Sequence, residues 1–578
     1  MRLCRVSASP LRLSLRRGTA RCAGRIFLAA GKSFTWLLLC LLFALPFVTR
    51  AQQSAAKPAG SDPILQAMRE ELDRSKSRLH MDNVPAPYYI EYRLTDVEQY
   101  QAEAAFGVLR EEQRAHQRFV RVVVRVGDYK QDSYYGPAGT GVTTLAPIDD
   151  DPVALRWQLW IATDNAYKNA SEALAMKKAA LRQYTSDQPF DDFAHASPTE
   201  SVEPVVKLDF DPKPWREALE KATALFRSDP KLQSLSAAAR FRTSNQYFVN
   251  TEGTVTRHGY AVYFVNEEGS TQAADGMRLQ RNPFFAAATV KELPTPDEFV
   301  ASAAKMIDTL KALRDAPMVD EDYRGPVLFS ADAASDVFNG MVGSNILGKR
   351  PKPGESARTV GDYASNYKSR VLPAFVSVED DPTLRSFAGK TLIGSYDADD
   401  EGVKAEKVEI VQDGQLVNYL IGREPIRDFP ESNGHGRAAI GQSAAPSLGT
   451  LIVRSKQTLT PAQLKAKLVD LCKQDNRPFG YYVDTLGGAF EPRLLYRVYQ
   501  DGHQELVRGA VFDELDTRAL RNDLVAIGDD LLVGNREGAV PTTVIAPSVL
   551  FDDIEVKRTD AKNAKLPEYP APDLVQAH

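Results

Sequence analysis

Ser377-Val-Glu-Asp-Asp-Pro382, followed by Tyr396-Asp-Ala-Asp-Asp-Glu-Gly402, decides how this chain is read. The two segments hold five Asp and two Glu, set between the apolar runs Leu372-Pro-Ala-Phe-Val376 and Val408-Glu-Ile-Val411. Such a cluster points to a metal site, a general acid/base pair, or a set of capped loops. The calcium reading starts well, because Asp397-Ala-Asp-Asp-Glu-Gly402 puts acids at loop positions 1, 3 and 5 and Gly at 6. It then fails, since the bidentate acid required at position 12 is Val408. Acid/base work by Asp380 or Asp400 needs a buried cleft, which a sequence does not display. Asp side chains that cap turns account for the cluster without any ligand.

Around this stretch the second half reads as strand-rich. Val327-Leu-Phe-Ser330 has the pattern of a buried strand, and Ala331 to Gly340 that of a short helix. Asp413-Gly414 and Asp501-Gly502 sit between apolar runs as hairpin turns. Thr460-Pro461 opens a helix to about Lys473 that buries Cys472. Gly487-Gly488 and the stretch 534–541 read as tight loops.

The first half begins at Asp62-Pro63, an N-cap followed by Pro at the first helical position, with Ile64, Met68, Leu72 and Leu79 on one stripe. Tyr88 to Leu94 and Phe119 to Val126 alternate as strands. Asp151-Pro152 opens a long helix whose Trp157, Trp160, Tyr167, Leu174 and Leu181 form a stripe read as core. Another helix is expected over 211–229. Strands at 248–253 and 260–265, joined by a turn, read as the far edge of the first domain. A helix over 296–316 bridges onward.

The N-terminus reads as a secretory signal. Residues 1–51 hold nine Lys/Arg and no acid, with an apolar run from Phe34 to Val48 that is short for a membrane span of roughly twenty residues. Thr49-Arg-Ala51 supplies small residues at the cleavage site, so export with cleavage after Ala51 is expected, a retained N-terminal membrane anchor being the alternative. The whole chain has 71 Lys+Arg against 76 Asp+Glu; removing the signal leaves 62 against 76, about −14. That charge disfavours nucleic acid as a partner. Cys4, Cys22 and Cys40 leave with the signal, so Cys472 has no disulfide or metal-cluster companion. The expected layout is a 1–51 signal, a 52–61 linker, an N-terminal domain over 62–295, a connecting helix over 296–322, a C-terminal domain over 323–560 and a tail over 561–578.

No two of His80, His116, His195, His258, His435, His503 and His578 lie three to five residues apart, so no helix presents a His pair to zinc. His503 falls in an expected hairpin turn at the surface. No P-loop, dinucleotide fingerprint or G-x-S-x-G elbow is present, and Asn433-Gly-His-Gly436 is too short for a phosphate cradle.

The order of these segments resembles the TldD/PmbA (TldE) family, also called modulator of DNA gyrase. The pieces that carry the likeness are Phe248-Val-Asn-Thr-Glu-Gly253, Val327-Leu-Phe-Ser-Ala-Asp-Ala-Ala334, Asp380-Asp-Pro382, Asp399-Asp-Glu-Gly402, Asp413-Gly-Gln-Leu-Val-Asn-Tyr419, Ala526-Ile-Gly-Asp-Asp530 and Pro547-Ser-Val-Leu550. The likeness implies a two-domain α/β (α+β) fold, with a mixed N-terminal domain and a strand-rich C-terminal one. It marks Asn250, Gly253, Asp380, Asp381, Pro382, Asp400, Glu401 and Gly402 as signature residues of unassigned role. In the TldD branch, zinc is held by H-E-x-x-x-H on the helix after the strand like Val327 to Ser330, plus a late Cys. This chain has Ser330-Ala-Asp-Ala-Ala-Ser335 there, and Val533 where the Cys falls. That is the pattern of the PmbA/TldE branch, so no catalytic residue, metal ligand or cofactor is assigned to this chain.

The resemblance therefore implies an exported, TldE-like subunit that binds peptide and pairs with a zinc-bearing TldD-like metallopeptidase or with itself. Two alternatives stay open: an autonomous hydrolase using the carboxylates around Asp380 and Asp400, and a homodimeric binding protein without chemistry.

Overall fold

Asp62 accepts hydrogen bonds from the backbone N–H groups of Ile64 and Leu65, and Pro63 fills the first helical turn, so the first described helix starts where the capping signal puts it. The computed structural model describes residues 62–183, 190–352 and 355–559. The expected signal, linker and tail lie outside these residues. In chain order the first half runs α1 (Pro63–Arg78), β1 (Pro87–Ala105), β2 (Val108–Val126), β3 (Val142–Leu145), α2 (Pro152–Leu181), β4 (Glu200–Val202), α3 (Lys213–Ala224), β5 (Leu232–Asn250), β6 (Val255–Gln272), β7 (Arg278–Arg281), β8 (Phe284–Ala287) and α4 (Pro296–Asp315).

Two long hairpins dominate it. β1 pairs with β2, and β5 with β6, over nearly their whole lengths, and β1 lies beside β5 in the order β3-β2-β1-β5-β6-β4. A strand of 19 residues reaches about 60 Å, which lets one sheet carry two cores. Ile90, Tyr92 and Leu94 pack under α1 and α2; further along the same face, Tyr100, Ala102 and Ala104 pack under α3 and α4. On the opposite face, Tyr89, Glu91, Arg93 and Thr95 are also buried. That double covering erases the polar alternation by which strands are recognised. It also corrects the expected edge: β5 lies inside the sheet, with β6 carrying β4, β7 and β8 beyond it.

The helix α2 forms as expected, but its buried stripe does not include the tryptophans. Leu159, Ala162, Ala166 and Ala170 face the core, whereas Trp157 is 60% and Trp160 44% exposed. A seven-residue spacing drifts about 20° per repeat around a straight helix, so the stripe through Leu174 and Tyr167 has turned away from the core by Trp160.

The second half comprises β9 (Tyr323–Phe329), α5 (Ala331–Val337) continuing as a π-helical turn over Phe338–Gly343, β10 (Val376–Asp380), β11 (Ser386–Phe387), β12 (Lys390–Thr391), β13 (Val408–Gln412), β14 (Gln415–Leu416), β15 (Gly436–Arg437), β16 (Ala445–Pro446), β17 (Thr450–Ser455), α6 (Pro461–Gln474), β18 (Phe479–Leu486), β19 (Pro492–Tyr499), β20 (Gln504–Val507), β21 (Ala510–Asp513), α7 (Thr517–Asn522), β22 (Leu524–Ile527), β23 (Leu532–Arg536), β24 (Thr542–Ala546) and β25 (Val549–Arg558). One sheet has the order β14-β13-β10-β17-β24-β23; the other is β20-β19-β18-β9-β25-β21, with β22 also on β25. Val378, Val453 and Val544 of the first share one core with Val327, Phe329, Tyr481 and Val483 of the second. The Asp413-Gly414 turn joins β13 to β14, with both residues at positive φ. Thr460 and Gln463 form a capping box on α6, and Cys472 is fully buried. One expectation fails here: Gly534 to Arg536 belong to β23, paired with β24, and are not a loop. Among the described residues no helix is long and apolar enough to cross a membrane.

Candidate functional site

The signature residues gather where the β5–β6 turn meets the loops after β10 and β14. Asn250 folds the turn, its Oδ1 accepting from the N–H groups of Glu252 (3.1 Å) and Thr254 (3.0 Å), and Gly253 takes φ 103°. Asp400 Oδ1 accepts from Gln246 Nε2 of β5 at 3.0 Å, while its Oδ2 accepts from the Ala438 N–H at 2.6 Å and Arg437 Nε at 3.2 Å. His258 Nε2 approaches Asp400 Oδ1 at 3.4 Å without a formed hydrogen bond. Burial pushes the Asp400 carboxyl up, but the facing Arg437, His258 and Arg93 more than offset it and hold the group well below the usual carboxylate range.

Glu401 accepts from the Arg423 N–H at 2.7 Å, and burial drives its carboxyl up to about 7. Burial and then the Glu401 charge likewise raise the neighbouring Asp399, although it accepts from the N–H groups of Val403 and Gly436. Within the acidic cluster the turn beside Gly402 is capped by Asp399, whose Oδ1 accepts from the N–H groups of Glu401 and Val403. Gly402 has φ 77°, and a Cβ there would come within 2.6 Å of Thr254 and 2.7 Å of the Phe248 ring. This closeness explains the glycine.

Asp380 is fully buried, accepting from the N–H groups of Gly449 (3.1 Å) and Thr450 (3.0 Å), with His435 Nε2 at 3.3 Å. Asp381 caps its own turn through Thr383, and the Pro382 carbonyl accepts from the Tyr396 N–H. Sequence reasoning missed Arg423, which is fully buried and joins the halves through Glu252 (2.8 Å), the Ala194 carbonyl and the Tyr89 hydroxyl. It also left His258 and His435 without a role. Only Asn433-Gly-His-Gly436 drew notice, and nothing in the sequence pairs it with Asp380. The chemistry of this junction is cohesive, because its carboxylates are already occupied by donors.

A second feature offers room. A cavity of about 840 Å³ lies between the Arg281–Ala287 segment, α5, the end of β18 and β23. Among the described residues β23 ends its sheet and β8 pairs with β6 alone, so two strands with an unpaired edge border the cavity. The two segments at which the resemblance expects zinc ligands meet here. Arg536 Nη1 lies 2.7 Å from Asp336 and its Nη2 donates to Ser335 Oγ at 2.8 Å. Burial and then Asp336 push the Asp332 carboxyl up. This donor set does not fit zinc: among the described residues no His or Cys lines the cavity, and the Arg536 guanidinium already pairs with Asp336.

The fold is α/β, with three large sheets and a cavity beside a short helix. Residues 322–558 match the family model described as the PmbA/TldA metallopeptidase C-terminal domain. That match assigns residues 322–558 to the C-terminal domain of the TldD/PmbA family. The chain is 25% identical over 181 residues to "Metalloprotease PmbA" of Escherichia coli O157:H7, covering 31% of this chain and 36% of that one. It is 28% identical over 146 residues to a "Metalloprotease" of Archaeoglobus fulgidus, covering 25% and 31%. The matched segments thus span about a third of these relatives. In fold it is similar to TldE from Thermococcus kodakarensis (TM-score 0.58, 13% identity, 85% of this chain and 99% of that one). It is also similar to a candidate modulator of a DNA gyrase from Thermotoga maritima (TM-score 0.59, 15% identity, 85% and 99%).

Proposed function

We propose that this chain is an exported, TldE-like subunit that binds extended peptide and completes a peptidase with a zinc-bearing TldD-like partner, itself supplying no metal. The observation that carries the reading is Arg536 against Asp336 and Ser335, a fixed cation at the place where a zinc ion would need electron-pair donors. The bordering strand edges of β8 and β23 support the peptide-binding part, since an extended chain gains main-chain hydrogen bonds along an open edge. The nine Lys/Arg and the apolar run of residues 1–51 support export, with processing after Ala51. Burial of Asp380 and Asp400 behind saturating donors argues against an autonomous hydrolase built on them.

The test is co-purification from the native source, with metal analysis and N-terminal sequencing of every chain recovered. An H-E-x-x-x-H relative carrying zinc, bound to a metal-free chain that starts at Gln52, is the expected outcome. Peptide turnover by this chain alone would refute the reading, and recovery only as a self-pair would favour the homodimeric alternative.

A further inference from the structure

Among the described residues, two arginines that line the cavity make no hydrogen bond to a carboxylate. Arg281, at the end of β7, donates from Nη1 to Thr485 Oγ1 at 2.6 Å. Among the described residues it makes no ion pair with a carboxylate, and its Nε is buried without a partner. Desolvation pulls its pKa down, with Asp484 and Asp332 acting in the opposite sense and Arg493 adding to the fall. Arg493 is close enough to matter to Arg281 electrostatically, and its own Nε is also buried and unpartnered. Its ion-pair contact is Glu491 at 3.4 Å, a residue whose side chain is 46% exposed. Both arginines line the same cavity as β23. Arg536 differs, being committed to Asp336 and Ser335.

A guanidinium that lines a cavity with Nη donors not committed to a carboxylate is open to an anion from the cavity side. Its planar fork matches a carboxylate in two-point geometry. We propose that Arg281 and Arg493 form a receptor for a peptide carboxylate, so that the cavity takes its peptide by an acidic group, either the free C-terminus or an Asp/Glu side chain. This rests on the peptide-binding reading above and specifies its substrate class. The charge logic is independent of zinc: the pair anchors one end of a chain lying along β23, whatever a partner subunit does to the rest.

The test uses the full processed chain and three fluorescein-labelled Gly/Ser/Ala decapeptides: one with a free C-terminal carboxylate, its C-terminal amide, and the amide carrying one internal Glu. Fluorescence anisotropy should show the free acid binding at least tenfold tighter than the plain amide. Arg281→Gln and Arg493→Gln should each erase that difference, while Arg281→Lys keeps part of it. Melting temperatures measured on the same samples exclude misfolded variants. If the internal-Glu amide binds as tightly as the free acid, in an Arg281-dependent manner, the receptor stands and its source is a side chain. Equal binding of all three peptides, or discrimination that survives both Gln variants, would overturn the inference while leaving peptide binding intact. Absence of binding by any peptide would overturn the peptide reading along with it.

Discussion

Arg536 on β23 and Asp336 at the end of α5 are 2.7 Å apart, so one ion pair ties the edge of a sheet to the helix that borders the cavity. The side chains remain 21% and 32% exposed, which limits the worth of the pair. Arg536→Ala should lower stability by only about 1 kcal/mol, read from urea unfolding. The unaltered chain should retain no stoichiometric zinc after dialysis. One zinc per chain, measured by elemental analysis, would contradict the assignment of this place to a guanidinium.

Asp400 should matter far more to stability. Asp400→Ala leaves Arg437 buried without its carboxylate and Gln246 and the Ala438 N–H without an acceptor. A loss of about 3–5 kcal/mol is expected, the range for breaking a buried ion pair on one side, and well above that of a turn cap. The Asp400 carboxyl is held low in the fold. Its contribution is therefore complete above an ordinary Asp value of about 3.9 and is lost as pH falls below it toward the depressed folded value. Unfolding curves at pH 7 and pH 3 should show the variant losing less on acidification than the parent. Equal acid sensitivity would count against this account.

Glu267 on β6 carries the opposite sign. It is 1% exposed, its carboxyl faces Ser302 and Ala303 of α4 without a well-formed hydrogen bond, and burial drives it up to about 8. Below about pH 4.5 both folded and unfolded states are protonated. Between there and pH 8 the unfolded state ionises first, so stability falls as pH rises. Glu267→Gln should remove that slope and stabilise the chain at pH 8 by a few kcal/mol, since each tenfold difference in proton affinity between the folded and unfolded carboxyl is worth about 1.4 kcal/mol. An unchanged melting temperature at pH 8 would show that the carboxyl is not desolvated.

Trp157 and Trp160 should contribute little to folding. They pack edge to face with ring centroids 5.2 Å apart, outside the α2 core. Changing both to Ser should alter stability by about 0.5 kcal/mol or less, as for surface positions away from a packed core. Calorimetry that found a loss of several kcal/mol would restore the core reading of that stripe.

What the sequence determined by itself was local. Asp62-Pro63, Thr460-Pro461 and Asp413-Gly414 start helices and close a hairpin because caps and tight turns are settled by neighbours a few residues away. The ordered set of short motifs also carried the family, since it depends on sequence order alone. Tertiary structure decided the rest. β1 outran the expected strand at 88–94 because its length is fixed by pairing with β2 and β5, and its polar face was hidden by burial on both sides. The tryptophan stripe was misplaced because a seven-residue spacing does not stay in phase with a helix. Asp380 with His435, Asp400 with Gln246 and Arg437, and Arg423 with Glu252 join positions 37 to 171 residues apart. The charge of each is stable indoors only because a distant segment supplies its partner, and that pairing exists only once the chain has folded.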